Sequence, residues 1–118
     1  MIYEMKLNKE PFEMISNGNK TVELRLFDEK RCKLNICDGI IFTDISDTKR
    51  KLYVRIKALY RFGTFEELFK EISPVICGYE EGETPESAAE KMKAYYTDEN
   101  INKYGVLGIS VELTENVI

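Results

Sequence analysis

The 118-residue chain predicts an α+β fold, a small, partly open β-barrel with helices packed beside it. Three observations carry this. Apolar and polar residues alternate over 21–26 and 51–61, the mark of half-buried strands. Helical patterns cluster between residues 64 and 103. A last alternating segment, 106–113, returns after them, and a strand that follows a helical insertion completes a sheet begun earlier. A single domain, 1–118, accounts for the length, with room for one hydrophobic core.

The opening residues 1–8 carry Ile2, Met5 and Leu7 on an extended segment. Asn8 suits a helix N-cap, and Pro11 fits the first turn, where its missing N–H has no partner to lose. Phe12 and Ile15, three apart, give that helix its buried stripe. Gly18 ends it as a left-handed residue. In the next strand Val22, Leu24 and Leu26 point one way and Thr21, Glu23 and Arg25 the other, with Lys20 at the strand's mouth. The charged run 28–31 reads as a solvated turn. Asp38-Gly39 signals a turn before the short buried strand Ile40-Ile41-Phe42, and 46–50 reads as a hairpin loop. The longest strand then alternates Leu52, Val54, Ile56, Ala58 and Tyr60 with Lys51, Tyr53, Arg55, Lys57 and Arg61.

Thr64 and Glu67 make a capping box for a helix that buries Phe65, Leu68, Phe69 and Ile72 and stops before Pro74. Residues 73–83 form a long irregular link, of a kind compact domains rarely keep without using. Thr84-Pro85 begins another helix, with Ala88, Met92, Tyr95 and Tyr96 on its inner face. A turn of helix at 98–103 ends at Gly105. The closing strand directs Leu107, Ile109, Val111 and Leu113 inward.

Composition narrows the chemistry. The chain has no histidine, which excludes Ser-His-Asp and Cys-His arrangements and any histidine base. A catalytic base would have to be Lys, Glu, Asp, Tyr or Cys. Cys32, Cys37 and Cys77 are odd in number and lack C-x-x-C spacing, so reduced thiols in a cytoplasmic protein are expected, with no metal and no cofactor. No apolar run approaches the roughly 20 residues that span a bilayer, so no membrane partner is expected. The net charge of −4 conceals an asymmetry, +4 over residues 1–63 and −8 over 64–118. A basic local patch sets the field at a site whatever the total. The strand 51–61 offers one, basic with an interleaved tyrosine, which suits a phosphate backbone and a stacked base. The same pattern also describes a solvated strand kept from edge pairing by its charges.

Four features in order resemble the ASCH domain, a branch of the PUA-like superfamily, in its small stand-alone prokaryotic form. They are Gly18-x-Lys20-x-x-Glu23-x-Arg25-Leu26, then Asp38-Gly39-Ile40-Ile41-Phe42, then the basic strand running into Tyr60-x-x-x-Thr64-Phe65-x-Glu67-Leu68, and finally Tyr104-Gly105-Val106-Leu107-Gly108-Ile109. The similarity spans roughly residues 4–113. One departure is Cys37-Asp38-Gly39, where relatives carry glycine before the aspartate. The resemblance implies a β-barrel of five or six strands with a cleft between barrel and helices. The lysine and the charged strand after it would line that cleft, with 73–83 as a wall.

The family's general role implies binding of RNA or a nucleotide-like small molecule. Lys20, Thr21, Glu23, Arg25 and Tyr79 would then sit in the cleft, and Tyr53, Arg55, Lys57 and Arg61 would track the RNA. Lys20 and Arg25 suit a phosphate or a base edge, and Glu23 an exocyclic amine or ribose hydroxyl. Some ASCH proteins are amidohydrolases that deacylate N-acetylated cytidine through a lysine, a threonine three residues on and a glutamate from the later loop. That alternative implies catalytic roles for Lys20, Glu23 and one of Glu80, Glu81 and Glu83, with Glu81 taken as the candidate. Glu23 replaces the threonine hydroxyl, and a neighbouring carboxylate favours the charged form of a lysine over the neutral base that catalysis needs. Ribonuclease chemistry is a further possibility for the same three charges. A protein-interaction module using Tyr53, Tyr79 and Tyr95 is the third class.

Overall fold

The computed structural model describes residues 1–115. Five strands form one sheet among them: β1 (Ile2–Leu7), β2 (Val22–Leu26), β3 (Gly39–Asp44), β4 (Lys51–Phe62) and β5 (Val106–Thr114). Their order across the sheet is β1-β3-β4-β5-β2, with β1 and β3 parallel and every other pair antiparallel. The sheet curls until its two edge strands meet. An Arg25 Nη of β2 donates to the carbonyl of Lys6 in β1 at 3.0 Å. The result is a partly open barrel whose seam lies between β1 and β2.

Among the described residues four helices flank the sheet: α1 (Lys9–Ser16), α2 (Phe65–Glu71), α3 (Pro85–Met92) and α4 (Asp98–Tyr104). They divide the core in two. Inside the curl, Met5, Ile40, Phe42, Val54, Ile56 and Ile109 pack with Phe12 and Ile15 of α1. Outside it, Val22, Leu24, Leu26 and Val106 pack against Phe65, Leu68 and Phe69 of α2, Ala88 and Met92 of α3 and Ile101 of α4. Strand β2 is thus covered on both faces.

Local chemistry explains the element boundaries. Gly18 adopts φ +85 past the end of α1, the left-handed stop its sequence suggests. Asn8 occupies the N-cap of α1, but its side chain makes no capping bond. Thr64 accepts from the Glu67 N–H at 3.2 Å, and its hydroxyl donates to the Glu67 carboxylate. Thr84 and Ser87 form the complete reciprocal box, because Ser87 stands at the third helical position. The link 73–83 contains a 3-10 turn, Pro74–Cys77, started by Ser73.

Three expectations about facing are corrected. In β4 the register slips between Ile56 and Ala58, so Lys57 is an extra residue and the alternation inverts beyond it. Leu59 therefore packs inward and Tyr60 is 41% exposed. Leu113 is also exposed, because β2 pairs with β5 only as far as Ser110 and leaves the far end without a neighbour on that side. Tyr95 faces solvent because α3 stops at Met92, after which the helical repeat no longer aims the side chain; Tyr96 packs into the outer core.

Candidate functional site

The seam holds a cavity of about 600 Å³. Its walls come from the end of β1, from α1, from β2, from residues 77–80 and 83, and from the end of α3 with the tyrosines beyond it. Lys20, Glu23 and Arg25 form its charged floor. Glu23 is 4% exposed, a carboxylate in the interior. It lies there because strand alternation directs it to the inner face, opposite Ile109 of β5.

Two cations compensate it. Lys20 Nζ lies 2.7 Å from Glu23 Oε1. Arg25 grips Oε2 with two nitrogens, Nε at 2.9 Å and an Nη at 2.8 Å. Burial opposes ionisation of Glu23, but the charges of Lys20 and Arg25 and their hydrogen bonds outweigh it and hold the carboxyl below its ordinary value. Lys20 is fixed from behind as well. Its main-chain N–H donates to Met14 O at 3.0 Å, and its stem lies against Gly78, where an added Cβ would come within 3.2 Å of Lys20 Cδ.

The walls are largely apolar and aromatic: Met14, Met92, Tyr79, Tyr95 and Tyr96. Tyr79 donates its hydroxyl to Met92 Sδ at 2.9 Å and packs edge-on to Phe69, and burial pushes its pKa up to about 12. Burial also pushes the Cys77 thiol up to about 12, against the smaller pull of Lys20. Cys77 is therefore a neutral wall group near pH 7 and not a nucleophile. Glu83 accepts from Lys91 at 2.6 Å and from the Ser87 hydroxyl, and those bonds, Lys91 first, hold its carboxyl below the ordinary range. Four acidic side chains (Glu10, Glu23, Glu80, Glu83) balance four basic ones (Lys6, Lys20, Arg25, Lys91) around the cavity. The balance suits a neutral ligand better than a polyanion.

The sequence-derived candidates separate into two groups. Lys20, Glu23, Arg25 and Tyr79 converge on the cavity. Thr21 lies outside it and is exposed, its N–H turned to Ile76 O at 2.9 Å. Glu81 is exposed and does not line the cavity, and the loop carboxylates in the wall are Glu80 and Glu83. Tyr53, Arg55, Lys57 and Arg61 lie on β4, third of the five strands and hence opposite the seam. Arg55 faces Glu112 at 3.8 Å, and the Arg61 guanidinium sits 4.0 Å over the Phe27 ring. The residues that sequence reasoning missed here are Met14, Gly78, Lys91 and Tyr96; the glycine in the 73–83 link was the one available signal. Among the described residues no helix is long and apolar enough to cross a membrane, and no cluster of three acidic or cysteine side chains is placed to hold a metal ion.

A crystal structure of the hypothetical protein PH0355 superposes with a TM-score of 0.82 at 31% identity, covering 97% of this chain and 100% of that one. The solution structure of protein PF0455 from Pyrococcus furiosus superposes at 0.74, also at 31% identity, covering 98% and 100%. A point variant of ZmASCH from Zymomonas mobilis shares the fold at 0.64 and 13% identity, covering 92% of this chain and 67% of that one. No curated protein matches the sequence. The ASCH domain family model matches residues 5–115, and with that match over nearly its whole length the chain belongs to the ASCH domain family.

Proposed function

We propose that this protein is an RNA- or nucleotide-binding module that takes one base into the seam cavity. The observation that carries the reading is a charged floor, Lys20–Glu23–Arg25, under tyrosine walls in a space of about 600 Å³. Pockets of this size hold small organic ligands, and tyrosine faces stack on any base. The Lys20 and Arg25 donors left over from Glu23 meet a carbonyl or a phosphate oxygen. The balanced lining favours a nucleoside or an extruded base over a phosphate-rich ligand. Free thiols at all three cysteines suit a reducing cytoplasm.

Hydrolysis of an acylated cytidine is the second reading, supported by the loop carboxylates Glu80 and Glu83 in the wall. Either one has the chemistry to activate water, with Arg25 or Lys20 at the oxyanion. The contact between Lys20 and Glu23 weighs against a lysine base.

The test is a titration with the four ribonucleosides, a short RNA and N-acetylcytidine at two salt concentrations. Binding should survive high salt in the nucleosides and fall about tenfold in Tyr95→Ala, a change at an exposed residue that leaves the Tm in place. A steep loss with salt, about 0.7 log units in affinity per log unit of salt for each phosphate neutralised, would move the site to the basic residues of β4. Turnover of N-acetylcytidine would establish the second reading. Absence of binding by every ligand would overturn both.

A further inference from the structure

The cavity contains a hydrogen-bonding pair that no side chain supplies. Two bonds fix the phase of the β2–β5 ladder: the Val111 N–H donates to Thr21 O at 2.9 Å, and the Phe27 N–H to Gly105 O at 3.0 Å. Residues 21, 23, 25 and 27 therefore spend their main-chain groups on β5, and those of Leu24 turn the other way, toward the open edge. Strand β2 is an edge of the sheet, so no strand lies on that side. No loop, cap or side chain among the described residues partners the Leu24 N–H or C=O. Across the seam β1 has the matching phase. Gly39 N–H takes Met1 O and Ile45 N–H takes Leu7 O, so the Lys6 carbonyl faces the gap, where Arg25 already occupies it.

The cavity reaches this edge. Glu23 and Arg25 leave the inner face of β2 and Leu24 the outer, yet all three line one space. A cavity touched by both faces of a strand wraps its edge, which is where the Leu24 N–H and C=O point. Main-chain groups away from bulk water require partners. Glu23 is a poor rival as a reader, because Oε1 is held by Lys20 and Oε2 twice by Arg25.

We propose that the main-chain N–H and C=O of Leu24 read the Watson–Crick edge of the bound base. The inference rests on the reading above, that the ligand carries a nucleobase. Within one strand residue the N–H and C=O lie side by side and point the same way. They complement an edge with an acceptor beside a donor, as each base presents on its pairing side. The pairing repeats strand addition at a sheet edge, with a base in place of the incoming strand. Tyr79 and Tyr95 hold the ring faces, and Lys20 and Arg25 meet the groups beyond the edge. Leu24 is thus a specificity-determining residue through its backbone, while its side chain serves the outer core.

The experiment is amide NMR on the intact protein, titrated with the four ribonucleosides and with 3-methyluridine, 1-methylguanosine, 3-methylcytidine and 1-methyladenosine, whose methyl groups occupy the pairing edge. Without ligand, the Leu24 amide should exchange with solvent faster than its ladder-bonded neighbours Glu23 and Arg25. The nucleoside that binds should shift the Leu24 resonance and slow its exchange about tenfold, and its methylated form should bind about tenfold more weakly. A nucleoside that binds in a Tyr95-dependent way while leaving the Leu24 amide unmoved, or while tolerating the methyl group, overturns main-chain reading and leaves the proposed function standing. If neither a nucleoside nor a short RNA moves any cavity amide, the proposed function falls and this inference with it.

Discussion

Glu23 is the residue on which the site and the stability of the fold both turn. Burial penalises its charge, and Lys20 and Arg25 more than offset that penalty. Its folded pKa therefore lies below the ordinary 4.5. A depressed carboxyl contributes stability that is complete above about pH 4.5 and is lost as the pH falls through the lower folded value. Urea unfolding between pH 7 and pH 3 should show that acid loss in the native protein and a shallower one in Glu23→Gln. Asp44 retains part of the acid slope in either protein, because its carboxylate is held down chiefly by the Ser46 hydroxyl. At neutral pH, Glu23→Gln leaves two cations without their anion and should cost about 3 kcal/mol. Parallel curves for the two proteins would place the acid sensitivity elsewhere. The shared face of Glu23 and Arg25 follows from strand alternation and was legible, and Lys20 joins them from the turn before the strand. Thr21 was assigned to the same face, but the strand proper begins at Val22 and the N–H of Thr21 turns to Ile76.

At the scale of the element, β4 shows how a regular pattern misleads. Lys57 is extra to the pairing with β5, and beyond it Leu59 and Tyr60 exchange faces. The sequence hid this because Ala58 is small enough for either face, and Tyr60 tolerates solvent through its hydroxyl. Deleting Lys57 should make the strand regular, because Ile56 and Ala58 then follow one another opposite Val111 and Ser110 and Leu59 keeps its inward face. The Tm should stay close to that of the parent. A loss of about 3 kcal/mol in thermal unfolding would show instead that the extra residue is needed to bend β4 into the curl. The helix end at Met92 is hidden for a related reason: Tyr95 and Tyr96 continue the apolar spacing past the helix proper, in turns closed by bonds such as Tyr95 N–H to Met92 O at 3.0 Å. Helix caps at Thr64 and Thr84 were legible because each rests on one local bond.

For the whole molecule, the strand order and the seam decide where a ligand can go. The fold class followed from a strand returning after helices, yet the order β1-β3-β4-β5-β2 depends on contacts distant in sequence, which no local pattern encodes. That order sets β4 opposite the seam, and the irregularity at Lys57 puts Arg61 on the Leu59 side, so the basic residues of β4 lie apart from the cavity and do not share one face. Arg25 is the tie across the gap. Removing it in Arg25→Ala should raise amide exchange in β1 about tenfold while leaving β3 and β4 protected, because β1 then depends on its ladder with β3 alone. Equal protection of β1 in the two proteins would show that the ladder suffices.

The open seam carries a further cost for life in a crowded solution. Strand rims are templates on which other copies of a chain can zip, and natural sheets blunt them with charges turned toward the rim. Here Lys20, Glu23 and Arg25 occupy that position, so the side chains that would greet a ligand also discourage self-association. Variants that neutralise the trio should scatter light at concentrations where the parent remains clear.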